Sequence, residues 1–421
     1  MKKLLALPLT FALAASALAA CGPQEESGST GGKKEASSDK PEKLVIWEDQ
    51  EKGVGTKDAV KKFEEKYGIK VELKEIPMLD QQEKLRLDGP AKKGPDVITT
   101  PHDRIGPLAI EGLISPIKVA DDVTKLYTES SINALTYDGN LYGLPKSTET
   151  PVFIYNKKLM EKAPESLEDL MAFSKGDKGG ADYGYLANWT DFYFAHGVLS
   201  GFGGYVFKDD NGTLDPADVG LANEGAVEGL EYITSWYNDG LFPKGIIGEK
   251  AGSTIDGLFT EGKAASVMNG PWSFQGYKDA GIDIGVAPMP KLPNGEYVKT
   301  FIGVKAYNVS AFSENQEWAT KLVEFLTNEE SAKVRYEKTA EIPPVVSLME
   351  DPIIADNEAA KAVAVQSERG VPMPNIPEMA EVWAPAANSL QLSATGKSKP
   401  KAALESAVKT IQDNIKANHS K

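Results

Sequence analysis

The stretch from Lys43 to Leu73 constrains this chain most. Lys43-Leu44-Val45-Ile46-Trp47 is an apolar burst suited to a strand buried on both faces. From Thr56 the apolar residues Val60, Phe63 and Tyr67 recur at helical spacing, and Gly68 supplies a C-terminal stop. Ile69, Val71 and Leu73 then alternate with Lys70, Glu72 and Lys74, which is the period of a strand. Strand, helix and strand in such short order imply a βαβ unit and an α/β fold. A polar helix over 80–87 and the loop Gly94-Pro95-Asp96 before Val97-Ile98-Thr99 continue the alternation. The pattern predicts a mainly parallel sheet with helices on both faces. The second half keeps this style, with a helix near 225–239 and strands around 265–268 and 300–309. Two later stripes, Trp318, Leu322, Phe325 and Leu326, then Leu404, Val408, Ile411 and Ile415, read as core-facing helix surfaces.

Ahead of this body stand Lys2 and Lys3, an apolar run from Leu4, and Leu18-Ala19-Ala20-Cys21. A basic start and a short apolar stretch describe a signal peptide over 1–20 rather than a membrane span, which needs ~20 apolar residues. Residues 22–42 hold no large apolar side chain, so with Cys21 they read as a flexible linker. The Leu-Ala-Ala-Cys tetrad resembles the lipobox of bacterial lipoproteins, which implies that Cys21 is lipidated and anchors the protein at the outer face of the cell membrane. Cys21 is the only cysteine in 421 residues. No disulfide can then support the fold, so stability rests on apolar cores, and the length suits two domains. The formal net charge of −15 becomes more negative once Lys2 and Lys3 are removed. That argues against nucleic acid and anionic lipid as partners, since both demand clustered cations.

Most chemical motifs fail. His102, His196 and His419 are far apart and lack a second ligand at metal spacing, so neither a metal nor a cofactor is expected. Gly257 to Lys263 spells G-x-x-x-x-G-K, but Ala264 stands where a phosphate loop needs Ser or Thr, and Ile255 to Phe259 reads as helix. No G-x-S-x-G elbow occurs. Carboxylates are plentiful, so composition leaves a glycosidase pair open. What stands out is aromatic residues among hydrogen-bonding side chains: Asn188-Trp189-Thr190-Asp191-Phe192-Tyr193-Phe194, Met268-Asn269-Gly270-Pro271-Trp272, and Pro374-Asn375-Ile376-Pro377-Glu378 leading to Trp383. Sugars present flat C–H faces rimmed by hydroxyls, and such sites combine aromatic plates with charged or amide groups.

Several blocks carry a family resemblance: Lys43-Leu44-Val45-Ile46-Trp47, Gly94-Pro95-Asp96-Val97, His102-Asp103-Arg104, Ile154-Tyr155-Asn156-Lys157, Gly203-Gly204-Tyr205, Asn269-Gly270-Pro271-Trp272 and Met373-Pro374-Asn375-Ile376-Pro377. In this order they resemble the extracellular solute-binding proteins of ABC importers, specifically those for maltose and maltodextrins. The resemblance implies a two-lobed α/β fold of the periplasmic-binding-protein type, with a hinge and an interlobe ligand cleft. It implies one lobe from 43–147 and 306–351 and another from 152–301 and 358–421, with crossings near 146–150, 302–305 and 351–357. It also implies that Asp49, Glu51, Lys52, Asp103, Arg104 and Glu149 reach sugar hydroxyls from one lobe. From the other, Asp191 would hydrogen-bond while Tyr193, Phe194, Trp272 and Trp383 supply stacking faces.

A monomeric receptor and not an enzyme is expected, delivering linear α-1,4-glucans to membrane permease subunits. Cyclic glucans, another oligosaccharide or a glycoside-active enzyme are the alternatives. Thr100, Ala384 and Ala387 stand where a well-known relative has Trp, Tyr and Arg, so some subsites should be weaker.

Overall fold

The predicted alternation is realised in two principal sheets, of six and three strands, beside two two-stranded ones. The computed structural model describes residues 40–210 and 213–419; the expected signal peptide, Cys21 and nearly all of the expected linker lie outside the described residues. In chain order the strands used below are β1 (Lys43–Glu48), β2 (Lys70–Glu75), β3 (Val97–Pro101), β4 (Gly143–Glu149), β5 (Val152–Asn156), β6 (Ser266–Asn269), β7 (Ile284–Ala287), β8 (Phe301–Val309) and β9 (Val371–Pro372). The helices used below are α1 (Gly53–Tyr67), α2 (Met78–Asp88), α3 (Phe192–Gly201), α4 (Ala251–Thr260) and α5 (Gln316–Thr327).

β1 pairs in parallel with β2, Leu44 opposite Val71, and with β3 on its other side. Helix α1 makes the crossover and stops at Gly68, whose φ of 64° is the left-handed conformation that glycine adopts without a Cβ penalty. The sheet is mixed: β8 pairs in parallel with β9, Phe301 opposite Val371, and three of the sheet's five pairings are parallel. β8 runs antiparallel to both β3 and β4, with Lys305 opposite Pro101 on one side and Ser147 on the other. The βαβ pattern fixes direction only for strands joined by a crossover helix, and β8 arrives from elsewhere in the chain. The second sheet is wholly antiparallel, with β5 central between β6 and β7.

Alternation of side chains sorts the first sheet's two faces. Leu44 and Ile46 of β1 with Tyr307 and Val309 of β8 pack against Phe63 of α1 and Leu322 of α5. Trp47, Ile98, Val304 and Ala306 face the other way, onto Leu85 of α2 and Ile105. The two late stripes do face the core: Leu322, Leu326, Leu404 and Ile411 are buried, with Trp318, Phe325, Val408 and Ile415 packed beside them.

The chain passes from the first sheet to the second between Glu149 and Val152, and returns between Ala287 and Phe301. Lys146 is an extra residue in β4, a bulge between the pairs Lys305–Ser147 and Ala306–Pro145. The G-x-x-x-x-G-K stretch begins inside α4 and ends in the turn before β6, helix then strand, the reverse of a phosphate loop.

Candidate ligand-binding site

Where the two sheets meet, a cavity of about 540 Å³ is lined by Asp49, Met78, Leu79, Pro101, Asp103, Arg104, Glu149, Asp191, Tyr193, Phe194, Trp272, Lys305, Met373 and Trp383. Strand ends supply most of the charged side. Asp49 follows β1, Asp103 and Arg104 form a 3-10 turn after β3, Glu149 ends β4, and Lys305 lies within β8. His102 pins that turn. Its Nδ1 accepts from Val304 N at 3.0 Å, so Nε2 carries the proton and donates to Met373 O at 3.0 Å. Burial lowers the pKa of His102, and this keeps the neutral ring that both bonds require.

The aromatic side hangs on the start of α3 and the loop after β6. Asp191 caps α3 by accepting from Tyr193 N at 2.9 Å, which turns Tyr193 and Phe194 toward the cavity. Tyr193 stands edge-on to Phe194, ring centroids 5.3 Å apart, and 6.1 Å from Trp272. Phe301 lies 6.3 Å from Tyr193 and 6.0 Å from Trp383, joining the last tryptophan to the group. Asn269 holds the Trp272 loop by accepting from Gly270 N at 2.9 Å, while its amide donates to Tyr277 at 2.8 Å and to Asp256 at 3.0 Å. Any side chain at position 270 would meet the Trp272 ring at 2.1 Å, so only glycine lets the indole fold back over its own loop.

The electrostatics are those of carboxylates held out of water. Burial raises the pKa of Asp103, with Arg104 and His102 opposing. Burial likewise raises that of Asp191, against the Tyr193 N–H. Arg104 Nε lies 3.2 Å from Asp103 Oδ2 without hydrogen-bond alignment. Lys305 Nζ sits 2.9 Å from Glu149 Oε2 and 3.9 Å from Asp49 Oδ2. Burial works against that ammonium, yet Glu149, Glu341 and Asp49 outweigh it and leave its pKa raised. The Tyr193 hydroxyl is buried without a hydrogen-bond partner among the described residues, a phenol set to donate to or accept from a ligand. Such a cavity offers acceptors, donors and apolar plates together, the inventory that a polyhydroxylated ring with C–H faces can use.

Of the residues expected at the site, Asp49, Asp103, Arg104, Glu149, Asp191, Tyr193, Phe194, Trp272 and Trp383 line this one cavity. Glu51 and Lys52 are not among its lining residues. Glu51 is exposed at φ 63°, with its N–H on the Glu75 carboxylate 3.2 Å away, and Lys52 leads into α1. Trp189, which the aromatic block included, is core: fully buried against Tyr185, Trp236 and Phe242. Ile376, Pro377 and Glu378 line a different groove with Ile110 and Tyr137. Thr100 is buried in the sheet and donates to Asn308 at 2.7 Å, so this position offers no plate.

Sequence reading missed Lys305, Met78, Leu79, Pro101 and Met373. A signal for Lys305 existed: a single lysine in the otherwise uncharged strand Phe301-Ile302-Gly303-Val304-Lys305-Ala306-Tyr307-Asn308-Val309 must find carboxylates if buried.

Fold and site together define a two-lobed α/β binding protein with its ligand cleft between sheets. The chain belongs to the bacterial extracellular solute-binding protein family, whose model matches residues 58–362. It is 49% identical to the galactooligosaccharide-binding protein of Bacillus subtilis (strain 168), over 96% of this chain and 95% of that one. It is 38% identical to the maltodextrin-binding protein MdxE of the same organism, over 98% of each chain. Among solved structures, a cyclo/maltodextrin-binding protein complexed with maltotetraose matches at a TM-score of 0.80 and 42% identity, covering 91% of this chain and all (100%) of that one. The family and these relatives are solute-binding proteins rather than enzymes. Among the described residues no helix is long and apolar enough to cross a membrane.

Proposed function

We propose that this protein is the extracellular receptor of an ABC importer for maltodextrins, binding linear α-1,4-glucans without turnover and delivering them to membrane permease subunits as a monomer anchored by lipid on Cys21. One observation carries the reading: carboxylates and cations from strand ends of one sheet, Asp49, Asp103, Arg104 and Glu149, face a wall of Tyr193, Phe194, Trp272 and Trp383 across a single cavity. Residues 43–147 with 306–351 would form one lobe, and 152–301 with 358–421 the other. Ligand gripped by both lobes favours the closed arrangement and draws the population toward it, the bend falling near 146–150, 302–305 and 351–357. That shape change is what a permease can read.

A second reading has its own support. The galactooligosaccharide-binding relative is more similar, at 49%, than the maltodextrin-binding one, at 38%. Galactosides too present a C–H face to an indole. Calorimetric titration with maltotriose, maltoheptaose, a cyclodextrin, β-1,4-galactotriose and cellotriose separates the two. The expected outcome is saturable binding of the α-1,4-glucans, intact on recovery, with a smaller radius of gyration by small-angle scattering in the same sample. Preference for galactotriose selects the second reading. Absence of binding by every sugar, or enzyme-dependent shortening that survives repurification, refutes the receptor.

A further inference from the structure

Lys305 lines the cleft from β8, the strand with which the chain re-enters the first sheet. Only 5% of its surface is exposed, yet the residue lines the cavity. Its ammonium has three N–H donors and no acceptor. Glu149, at 2.9 Å, can engage one; Asp49, at 3.9 Å, is a charge neighbour beyond hydrogen-bond distance. The geometry leaves donor capacity on the cavity side, and an ammonium this enclosed gains much from a ligand oxygen. Lys146 differs: it is fully buried, 2.6 Å from Glu48 and 3.2 Å from Glu341, and does not line the cavity.

We propose that Lys305 is a specificity-determining residue of this receptor, its ammonium donating to one hydroxyl of a ligand sugar while the adjoining Glu149 carboxylate accepts from the neighbouring hydroxyl. The inference rests on the sugar-receptor reading and adds to it a reader of a vicinal diol. A donor and an acceptor held side by side match two gauche hydroxyls of one pyranose, and a ring with either oxygen missing or turned away leaves a buried charge short of a partner. Sites built to hydrogen-bond a hydroxyl reject analogues lacking it far more strongly than apolar pockets discriminate by size. Lys305 also offsets the carboxylates of Glu149 and Asp49. That electrostatic role needs only a positive charge, whereas the recognition role needs the lysine geometry, because a guanidinium directs its donors in a planar fork.

The test uses the full folded protein, the variants Lys305→Met and Lys305→Arg, and whichever of maltotriose and β-1,4-galactotriose the wild type binds, with the mono-deoxy analogues of that sugar. Lys305→Arg keeps the charge, and thermal unfolding of each variant beside the wild type establishes that the fold is retained before titration. Both variants should lose at least tenfold in affinity for the parent sugar. One mono-deoxy analogue should bind the wild type at least tenfold more weakly than its parent, yet bind Lys305→Arg within about twofold of that parent. Parent affinity in Lys305→Arg equal to that of the wild type, or a deoxy penalty that persists undiminished in it, overturns the proposal and leaves Lys305 a charge-balancing residue. Failure of the wild type to bind either parent sugar overturns the receptor reading itself, and this inference with it.

Discussion

Replacing Lys146 by Met puts the buried charges beneath the cleft to their hardest test. Glu48 and Lys146 are both fully buried, and Lys146 Nζ lies 2.6 Å from Glu48 and 3.2 Å from Glu341. Glu48 keeps four donors without the lysine: Thr56 Oγ1 at 2.7 Å, Tyr307 Oη at 2.5 Å, Asp49 N at 2.8 Å and, more distantly, Thr99 Oγ1 at 3.4 Å. Glu341 keeps Thr339 Oγ1 at 3.1 Å. Burial would raise the Glu341 carboxyl, but Lys146 first, then Lys305 and Arg335, bring it from 4.5 down to about 2. A carboxyl so lowered contributes about 3 kcal/mol to stability at neutral pH. Removing one partner of a buried pair costs roughly 3–5 kcal/mol, because the carboxylates left behind stay buried with less charge to offset them.

The sign with pH follows. In the wild type the folded pKa of Glu341 lies below its unfolded value, so its contribution is full above about 4.5 and is lost as pH falls toward 2. In Lys146→Met the largest opposing charge is gone while Lys305 and Arg335 remain, so the folded pKa of the carboxyls rises and their penalty is relieved by protonation as pH falls. The gap between the two proteins should be about 3–5 kcal/mol at pH 7 and shrink steadily toward pH 3. Urea unfolding followed in parallel by circular dichroism and tryptophan fluorescence measures it. A gap under about 1 kcal/mol at pH 7, or one that does not narrow with acid, refutes the reasoning.

Two further outcomes are expected. Trp272→Ala should weaken sugar binding by about 1–3 kcal/mol, on the scale of aromatic stacking on nucleic-acid bases, with little effect on unfolding; Trp189→Ala should instead cost about 3–5 kcal/mol of stability, and a reversed pattern would exchange plate for core. Labelling cells with a fatty acid should mark the wild type and leave Cys21→Ser unmarked, and persistent label on the variant would refute the lipobox reading.

What could be read from the sequence follows from short-range physics. The period of Val60, Phe63 and Tyr67, the stop at Gly68 and the alternation after it are properties of neighbouring residues, and the structure has α1 and β2 where they point. The cleft aromatics were legible because polar and aromatic residues crowd three short segments, and because whole blocks match a family. Even there, adjacent residues part ways. Trp189 turns into a core of Tyr185, Trp236 and Phe242, while Tyr193 and Phe194 turn to the cavity, a choice made by the Asp191 cap and the helix that starts on it. Tertiary structure alone decided the direction of β8, because antiparallel pairing with β3 and β4 joins residues far apart in the chain. It alone made Lys146 a bulge residue bound to Glu48 and carried Lys305 to the cavity beside Glu149. Local sequence sets which residues prefer a strand or a helix; where a buried charge finds its partner depends on strand register, and register is a property of the assembled sheet.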